Sequence, residues 1–226
     1  MYKIMNIRRK KYIVVKNVLS SEMCDLAFNY LINKKTSRQV LLDTKNMNPF
    51  SKDLGLSTDG QADCYSVYGD LLMDTLLSKI KPIMEKNTGL VLNESYSYAR
   101  IYQKGNELRR HKDRFSCEIS STLFLGGDEW PIFVDPNPKN GYYDIEKDKY
   151  MSPGAKGKKI DLKKGDMLIY LGQELEHWRD VFFEDTCCQV FFHYNDLTTE
   201  GAEENQYDRR LCLGLPDYMR DVKLDK

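Results

Sequence analysis

The sequence lacks most of the features that mark membrane, secreted or nucleic-acid-binding proteins. No run approaches the roughly 20 apolar residues of a membrane helix. The start, MYKIMNIRRKKYIVV, is basic but has no apolar stretch typical of a secretory signal. Lys+Arg and Asp+Glu both number 34, so the neutral chain has no overall attraction for nucleic acid or anionic lipid. We therefore expect neither nucleic acid nor a membrane as a partner.

The six cysteines form no C-x-x-C pair and lie at positions 24, 64, 117, 187, 188 and 212. Without a secretory signal, this pattern predicts free thiols in a reducing cytoplasm rather than a disulfide framework. Cys187 and Cys188 are neighbours and would face opposite sides of a strand, so they are poor candidates for a shared metal site.

The chain does have enough length and apolar content for one sizeable core, with 226 residues, 41% of them hydrophobic and 12% aromatic. We expect a single domain over 1–226, with an N-terminal strand and helices at 12–90 and a core at 95–195. An apolar run at 12–19 predicts a strand, and apolar positions with helical spacing follow Ser20 and Ser21. A polar loop with short strands is predicted at 34–63, and a second helix at 70–89.

Strand-sized apolar runs separated by Gly, Asn, Asp and Pro fill the rest of the chain. They lie at 95–102, 117–125, 130–134, 166–171 and 188–194, and a long break at 135–164 predicts a surface loop or hairpin. Helices followed by short antiparallel strands favour an α+β domain built on a double-stranded β-helix (a jelly roll) braced by N-terminal helices.

The three histidines, His111, His177 and His193, include two that suit a metal site. His111 and Asp113 are two apart, so on an extended backbone their side chains share one face while Lys112 points away. His177 follows a later strand, which a jelly roll can return to the same side. Two imidazoles and one carboxylate leave coordination positions open, which is typical of non-haem iron(II) oxygenases, whereas structural zinc sites are closed by four ligands. Taken alone, an H-x-D pair is more often a surface turn or a salt-bridged histidine.

Two blocks of sequence around these residues resemble one family. The segment YARIYQKGNELRRHKD at 98–113 resembles the strand, glycine loop and H-x-D strand of prolyl 4-hydroxylase-like 2-oxoglutarate/iron(II) dioxygenases, and KKGDMLIYLGQELEHWR at 163–179 resembles their later strand and distal histidine. The resemblance implies a jelly-roll hydroxylase that uses Fe(II), 2-oxoglutarate and O2. It also implies that His111, Asp113 and His177 are the metal ligands.

The resemblance further implies residues for 2-oxoglutarate. Tyr102 matches the family tyrosine whose hydroxyl commonly binds the co-substrate. The family's usual Lys or Arg on the strand after the distal histidine is missing, because the corresponding stretch is TCCQ at 186–189. Arg179 and Arg100 are the two substitutes for the distal carboxylate, since arginine offers a bidentate fork. The alternatives are a surface ion pair for Arg179 and a paired arginine near the sheet rim for Arg100.

Several further residues have supporting or ambiguous interpretations. Gln189 shares a face with His193 on the last strand, and both are candidates to supply hydrogen bonds, although His193 is interpreted as a core histidine rather than a fourth ligand. Leu123, Phe124 and Trp178 are interpreted as pocket walls or core.

The substrate is the least constrained prediction. The resemblance favours a peptidyl residue such as proline, while free amino acids, other small molecules and nucleobases also occur among relatives. Two basic clusters, at 8–11 and 109–114, are either an attraction for an acidic substrate or solvated surface. The segments 34–63 and 135–164 are candidate substrate lids.

Two other functional classes remain open from the sequence. One is a cupin-like metalloprotein or enzyme that does not use 2-oxoglutarate, which the missing late cation favours and the match at Tyr102 opposes. The other is a non-catalytic binding module that kept the barrel, which the intact set of metal ligands makes less suitable.

Overall fold

The structure, a computed structural model, describes residues 7–224, so the ends of the predicted domain at 1–6 and 225–226 lie outside the described residues. The α-helices of this part are α1 (Ile7–Lys10), α2 (Ser21–Asp43) and α3 (Leu71–Thr88). The strands are β1 (Tyr12–Val15), β2 (Tyr65–Tyr68), β3 (Leu92–Gln103), β4 (Leu108–His111), β5 (Ile119–Gly127), β6 (Ile132–Val134), β7 (Tyr142–Asp144), β8 (Lys149–Met151), β9 (Lys158–Ile160), β10 (Met167–Leu171), β11 (His177–Arg179) and β12 (Thr186–Asp196). Short 3-10 turns lie at Phe115–Cys117, Gln206–Arg209 and Asp217–Met219.

The strands form two main antiparallel sheets. The larger has the order β1-β10-β5-β12-β3-β2, and the smaller has the order β4-β11-β6-β9. From β3 to β6 and again from β9 to β12, successive strands alternate between the two sheets, as in a jelly roll, and the apolar side chains between the sheets belong to one buried cluster. The predicted α+β jelly-roll class is confirmed.

Helix α2 is longer than the sequence predicted. It begins after Ser20, whose hydroxyl accepts from the backbone N–H of Met23, and it continues through the polar residues to Asp43. The predicted loop at 34–63 is therefore wrong for 34–43. The physical reason is Arg38, which is buried and donates to the carbonyls of Ser51 and Asp53 at 2.9 Å each, so the following loop covers the polar helix face.

Helix α3 has the ends that the sequence predicted. The Asp70 carboxylate accepts from the backbone N–H groups of Leu72 and Met73, and Gly89 ends the helix at φ +75°, in the left-handed region that favours glycine. The helix runs through Pro82. Helix α2 packs against β5 and α3 against β3, so both brace the larger sheet.

The remaining differences concern short segments. The apolar run predicted as a strand from 117 begins instead with the 3-10 turn Phe115–Cys117, and β5 starts at Ile119. The segment 135–164 contains the β7–β8 hairpin and also β9, which joins the smaller sheet beside β6. No helix among residues 7–224 is long and apolar enough to cross a membrane.

Candidate metal centre and its cavity

His111, Asp113 and His177 lie together at one mouth of the jelly roll. Strand β4 ends at His111 and β11 begins at His177, and these two residues are directly opposite each other in the β4–β11 ladder, so their side chains share a face. Asp113 lies two residues after the end of β4, and its backbone N–H donates to the carbonyl of Gly172 at 2.9 Å. Asp113 Oδ1 lies 3.6 Å from Nε2 of each histidine. One ligand atom from each of the three residues lies within 4.8 Å of the others.

Both imidazoles are held with Nε2 turned toward Asp113. His111 Nδ1 is 2.7 Å from the carbonyl oxygen of Arg109, and His177 Nδ1 is 3.0 Å from that of Leu175. A carbonyl oxygen only accepts, so each Nδ1 carries the proton and each Nε2 keeps its lone pair. Metal-binding histidines are commonly oriented by such backbone hydrogen bonds.

The charge states also suit a metal. Burial lowers the pKa of His111, which favours the neutral imidazole. Burial opposes ionisation of Asp113, but the two neighbouring imidazoles outweigh it and hold the pKa of this carboxyl well below its usual range. Two imidazole nitrogen donors and one anionic oxygen donor on one side of a cavity fit a divalent transition metal with open positions.

The tight packing behind Asp113 depends on Gly172, which the sequence analysis did not single out. A Cβ at this position would lie far inside contact distance of Asp113 Oδ2 and the Cys117 carbonyl, and 2.5 Å from Ser120 Oγ. Only a residue without a side chain allows the carboxylate to take this position.

A cavity of about 290 Å³ opens in front of the three ligands. Its walls are largely aromatic or apolar and include Tyr96, Tyr98, Leu108 and Phe191. The 59–61 segment of the predicted lid at 34–63 forms another wall, whereas the lining residues include none from the described segment 135–164.

Arg100 lies in this wall and already has an anionic partner. Its Nε donates to Asp59 Oδ2 at 2.6 Å and its Nη2 donates to Gln61 Oε1 at 2.6 Å, while Nη1 reaches the Tyr102 hydroxyl at 3.4 Å. The guanidinium also lies over the rings of Tyr98 and Phe191. The interpretation of Arg100 as a paired arginine therefore agrees with these contacts, and its partner Asp59 comes from a loop that no local pattern connects to β3.

Arg179, unlike Arg100, is buried without an anionic partner among the described residues. It is 1% exposed, and no salt bridge to it is found among residues 7–224, so the alternative of a surface ion pair is wrong. Its Nη1 donates to the Trp130 carbonyl, its Nη2 reaches Thr122 Oγ1 at 3.5 Å, and its Nε has no partner in the described part of the chain. Burial lowers the pKa of Arg179, as expected for a cation without an anionic neighbour.

The other predicted co-substrate residues surround Arg179. Gln189 is joined to it through Thr122, whose hydroxyl donates to Gln189 Oε1 at 3.0 Å. Tyr102 is buried with its ring edge against Trp130, which also lies beside the Arg179 guanidinium. Tyr170, which the sequence analysis missed, lines the cavity and places its hydroxyl 3.4 Å from His177 Nε2, whereas Arg179, Tyr102 and Gln189 are not among the lining residues.

Two residues of the basic cluster at 109–114 are held in ion pairs. Arg110 pairs with the buried Glu176 at 3.0 Å and lies on the Trp178 ring, and Arg114 pairs with Asp208 at 2.7 Å. These two arginines therefore have structural roles in ion pairs with Glu176 and Asp208. Leu123 and Phe124 belong to the core, as one of their two interpretations predicted, and Trp178 stacks on Phe133.

Comparisons with known proteins show which solved structures share this fold. No family model matches the sequence, and no curated protein matches it either. Many solved structures do match, and they include a prolyl 4-hydroxylase and a non-haem α-ketoglutarate-dependent carbocyclase. The chain therefore shares their jelly-roll fold.

Three solved structures define the likeness. A prolyl 4-hydroxylase from Pseudomonas putida is 14% identical with a TM-score of 0.52, and the match covers 81% of this chain and 91% of that one. The epimerase SnoN, solved with Fe3+, α-ketoglutarate and nogalamycin RO, is 14% identical with a TM-score of 0.57 and coverages of 84% and 81%. HygX from Streptomyces hygroscopicus, solved with nickel, 2-oxoglutarate and hygromycin B, is 13% identical with a TM-score of 0.54 and coverages of 82% and 83%.

Proposed function

We propose that the protein is an Fe(II)- and 2-oxoglutarate-dependent dioxygenase that hydroxylates a C–H bond. The observation that carries the proposal is the set of His111, Asp113 and His177, with both Nε2 lone pairs and one carboxylate oxygen turned toward one point beside an open cavity. A bound iron with 2-oxoglutarate and O2 would supply the oxidation, in which one oxygen atom enters the substrate as hydroxyl and the other enters succinate with release of CO2.

We further propose that Arg179 binds the distal carboxylate of 2-oxoglutarate. A buried guanidinium is tolerated at low cost only with an anionic partner, and Arg179 has none among the described residues. Arg100 is already paired with Asp59. We therefore propose that it lines the cavity and donates to the neighbouring Tyr102 hydroxyl. Tyr102 and Gln189 are proposed to add hydrogen bonds to the co-substrate.

The substrate is proposed to present an uncharged group to the metal, either a peptidyl residue such as proline or part of a small molecule. Apart from the metal ligands, the charged lining residues among those described are Asp59 and Arg100, which neutralise each other. His193 also lines the cavity, and burial lowers its pKa to about 4, so it is neutral at physiological pH. An unpaired charge on the reacting group would enter this cavity without a partner.

A cytoplasmic location is proposed on the state of the cysteines. All six are unpaired, and five are buried. Free thiols of this kind persist in a reducing compartment.

The first test is anaerobic reconstitution with Fe(II), followed by addition of 2-oxoglutarate. We expect a visible metal-to-ligand charge-transfer band in the wild-type protein and its loss in His177→Ala. The matched control is Glu176→Gln, because Glu176 is the buried neighbour of His177 but its side chain faces away toward Arg110. Bound iron without the band would favour a cupin-like protein that does not use 2-oxoglutarate, and failure to bind iron would refute the metal site.

A further inference from the structure

Three side chains on neighbouring strands form a row beneath Asp113. Tyr96 on β3, His193 on β12 and Ser120 on β5 are directly opposite one another in the two ladders of the larger sheet. All three are buried. The Ser120 hydroxyl lies 2.8 Å from Asp113 Oδ2, 2.9 Å from the Cys117 carbonyl oxygen and 3.0 Å from His193 Nδ1.

The number of protons decides the direction of these hydrogen bonds. A hydroxyl has one proton, whereas the Asp113 carboxylate and the Cys117 carbonyl can only accept. If Ser120 donated to His193, two acceptor oxygens would lie within 2.9 Å of its oxygen with no proton between them. The consistent arrangement is that His193 Nδ1–H donates to Ser120 Oγ and Ser120 donates to the carboxylate, which is the stronger acceptor.

The hydrogen-bonded chain from His193 through Ser120 to Asp113, called the relay below, is held by residues within strands. His193 is held by the β12 ladder and by the Tyr96 ring, whose centroid lies 4.6 Å away, and Ser120 is held within β5. The Tyr96 hydroxyl is in turn 3.1 Å from Cys117 Sγ. The relay therefore has little freedom to follow a moving carboxylate.

The relay divides the two oxygens of Asp113 between two tasks. Oδ2 accepts from Ser120, and Oδ1 is the oxygen that lies 3.6 Å from both histidine Nε2 atoms. We propose that Ser120 and His193 are positioning residues that hold Asp113 so that it offers one oxygen to the metal. This inference rests on the proposed function and extends it, because a carboxylate that turned and offered both oxygens would occupy a position needed by 2-oxoglutarate or O2.

The test measures metal binding rather than turnover. Co(II) is titrated into the metal-free protein, and its visible absorption, which depends on the number and kind of ligands, is recorded for wild type and Ser120→Ala. Ser120→Ala is expected to bind Co(II) about 10- to 100-fold more weakly, with a changed spectrum. The matched control is Ser121→Ala, because Ser121 is equally buried on the same strand, but its hydroxyl donates to the Phe192 carbonyl on the opposite face. This control should match wild type in both affinity and spectrum.

A second variant tests the relay if Ser120→Ala does not fold. His193→Phe keeps a ring beside Tyr96 but removes the Nδ1–H donor, and it should weaken Co(II) binding in the same direction. In the double variant the two effects should be less than additive, since both remove one relay.

The outcomes separate the two proposals. If wild type binds Co(II) and both Ser120→Ala and His193→Phe bind it with unchanged affinity and spectrum, the positioning role is overturned and the metal site stands. If wild type itself binds no divalent metal, the proposed function fails and the positioning role fails with it.

Discussion

Replacement of Arg179 by methionine should separate co-substrate binding from folding stability. Arg179 is 1% exposed, lacks an anionic partner among residues 7–224, and has an Nε without a hydrogen bond. If 2-oxoglutarate supplies the missing carboxylate, its loss should cost the complex about 3–5 kcal/mol, which corresponds to about a 100-fold or greater increase in the dissociation constant. The metal-free, ligand-free protein should not lose stability. Methionine removes an unpaired buried charge at similar volume, so the free energy of unfolding should stay within about 1 kcal/mol of wild type or rise.

Arg100→Met is the matched comparison, because Arg100 is also buried but is paired with Asp59. Removing its guanidinium leaves the Asp59 carboxylate buried without its partner, so the free energy of unfolding should fall by about 3–5 kcal/mol. The assays are urea denaturation of the metal-free proteins and calorimetric titration of 2-oxoglutarate into the anaerobic Fe(II) forms. The reasoning is refuted if Arg179→Met binds 2-oxoglutarate as wild type does, or if it loses as much stability as Arg100→Met.

Three further perturbations test other parts of the structure. Gly172→Ala should weaken divalent metal binding at least about tenfold, because the new methyl group takes the space of the Asp113 carboxylate; unchanged metal affinity in a Co(II) titration would contradict this packing. Acid should destabilise the fold through Asp208: burial alone would raise its pKa, but hydrogen bonds from Arg114 outweigh burial and lower the pKa to about 2. The resulting stability is present above the ordinary pKa near 4 and is lost as the pH falls toward 2, so Asp208→Asn should flatten the pH dependence of urea denaturation over that range, and an unchanged slope would exclude this contribution. Tyr194→Phe should lower the free energy of unfolding by about 1 kcal/mol, because the buried hydroxyl donates to a carbonyl of α3 at 2.7 Å, and a neutral result in thermal denaturation would argue against that hydrogen bond.

Local sequence patterns predicted the longer strands, whereas the three candidate metal ligands were predicted from the spacing of His111 and Asp113 together with the resemblance of the blocks at 98–113 and 163–179 to a known family. Alternation and apolar runs depend on neighbouring residues, and the spacing of His111 and Asp113 fixes their shared face as soon as the backbone is extended. The capping residues of α3 are local in the same way, since Asp70 and Gly89 act within one turn of the helix. The continuation of α2 past 34 was missed because its polar face is covered by a loop that folds back onto Arg38.

Only the tertiary structure decided which arginine lacks a carboxylate partner among the described residues. Arg100 and Arg179 are equivalent as sequence candidates, and the difference lies in Asp59, which reaches Arg100 from a loop 41 residues earlier in the chain. The same holds for Ser120 and His193, which are 73 residues apart and meet because β5 and β12 are neighbours in the larger sheet. Whether a buried polar group is satisfied depends on residues that chain topology brings to it, and such partners leave no periodic signal around the residue itself.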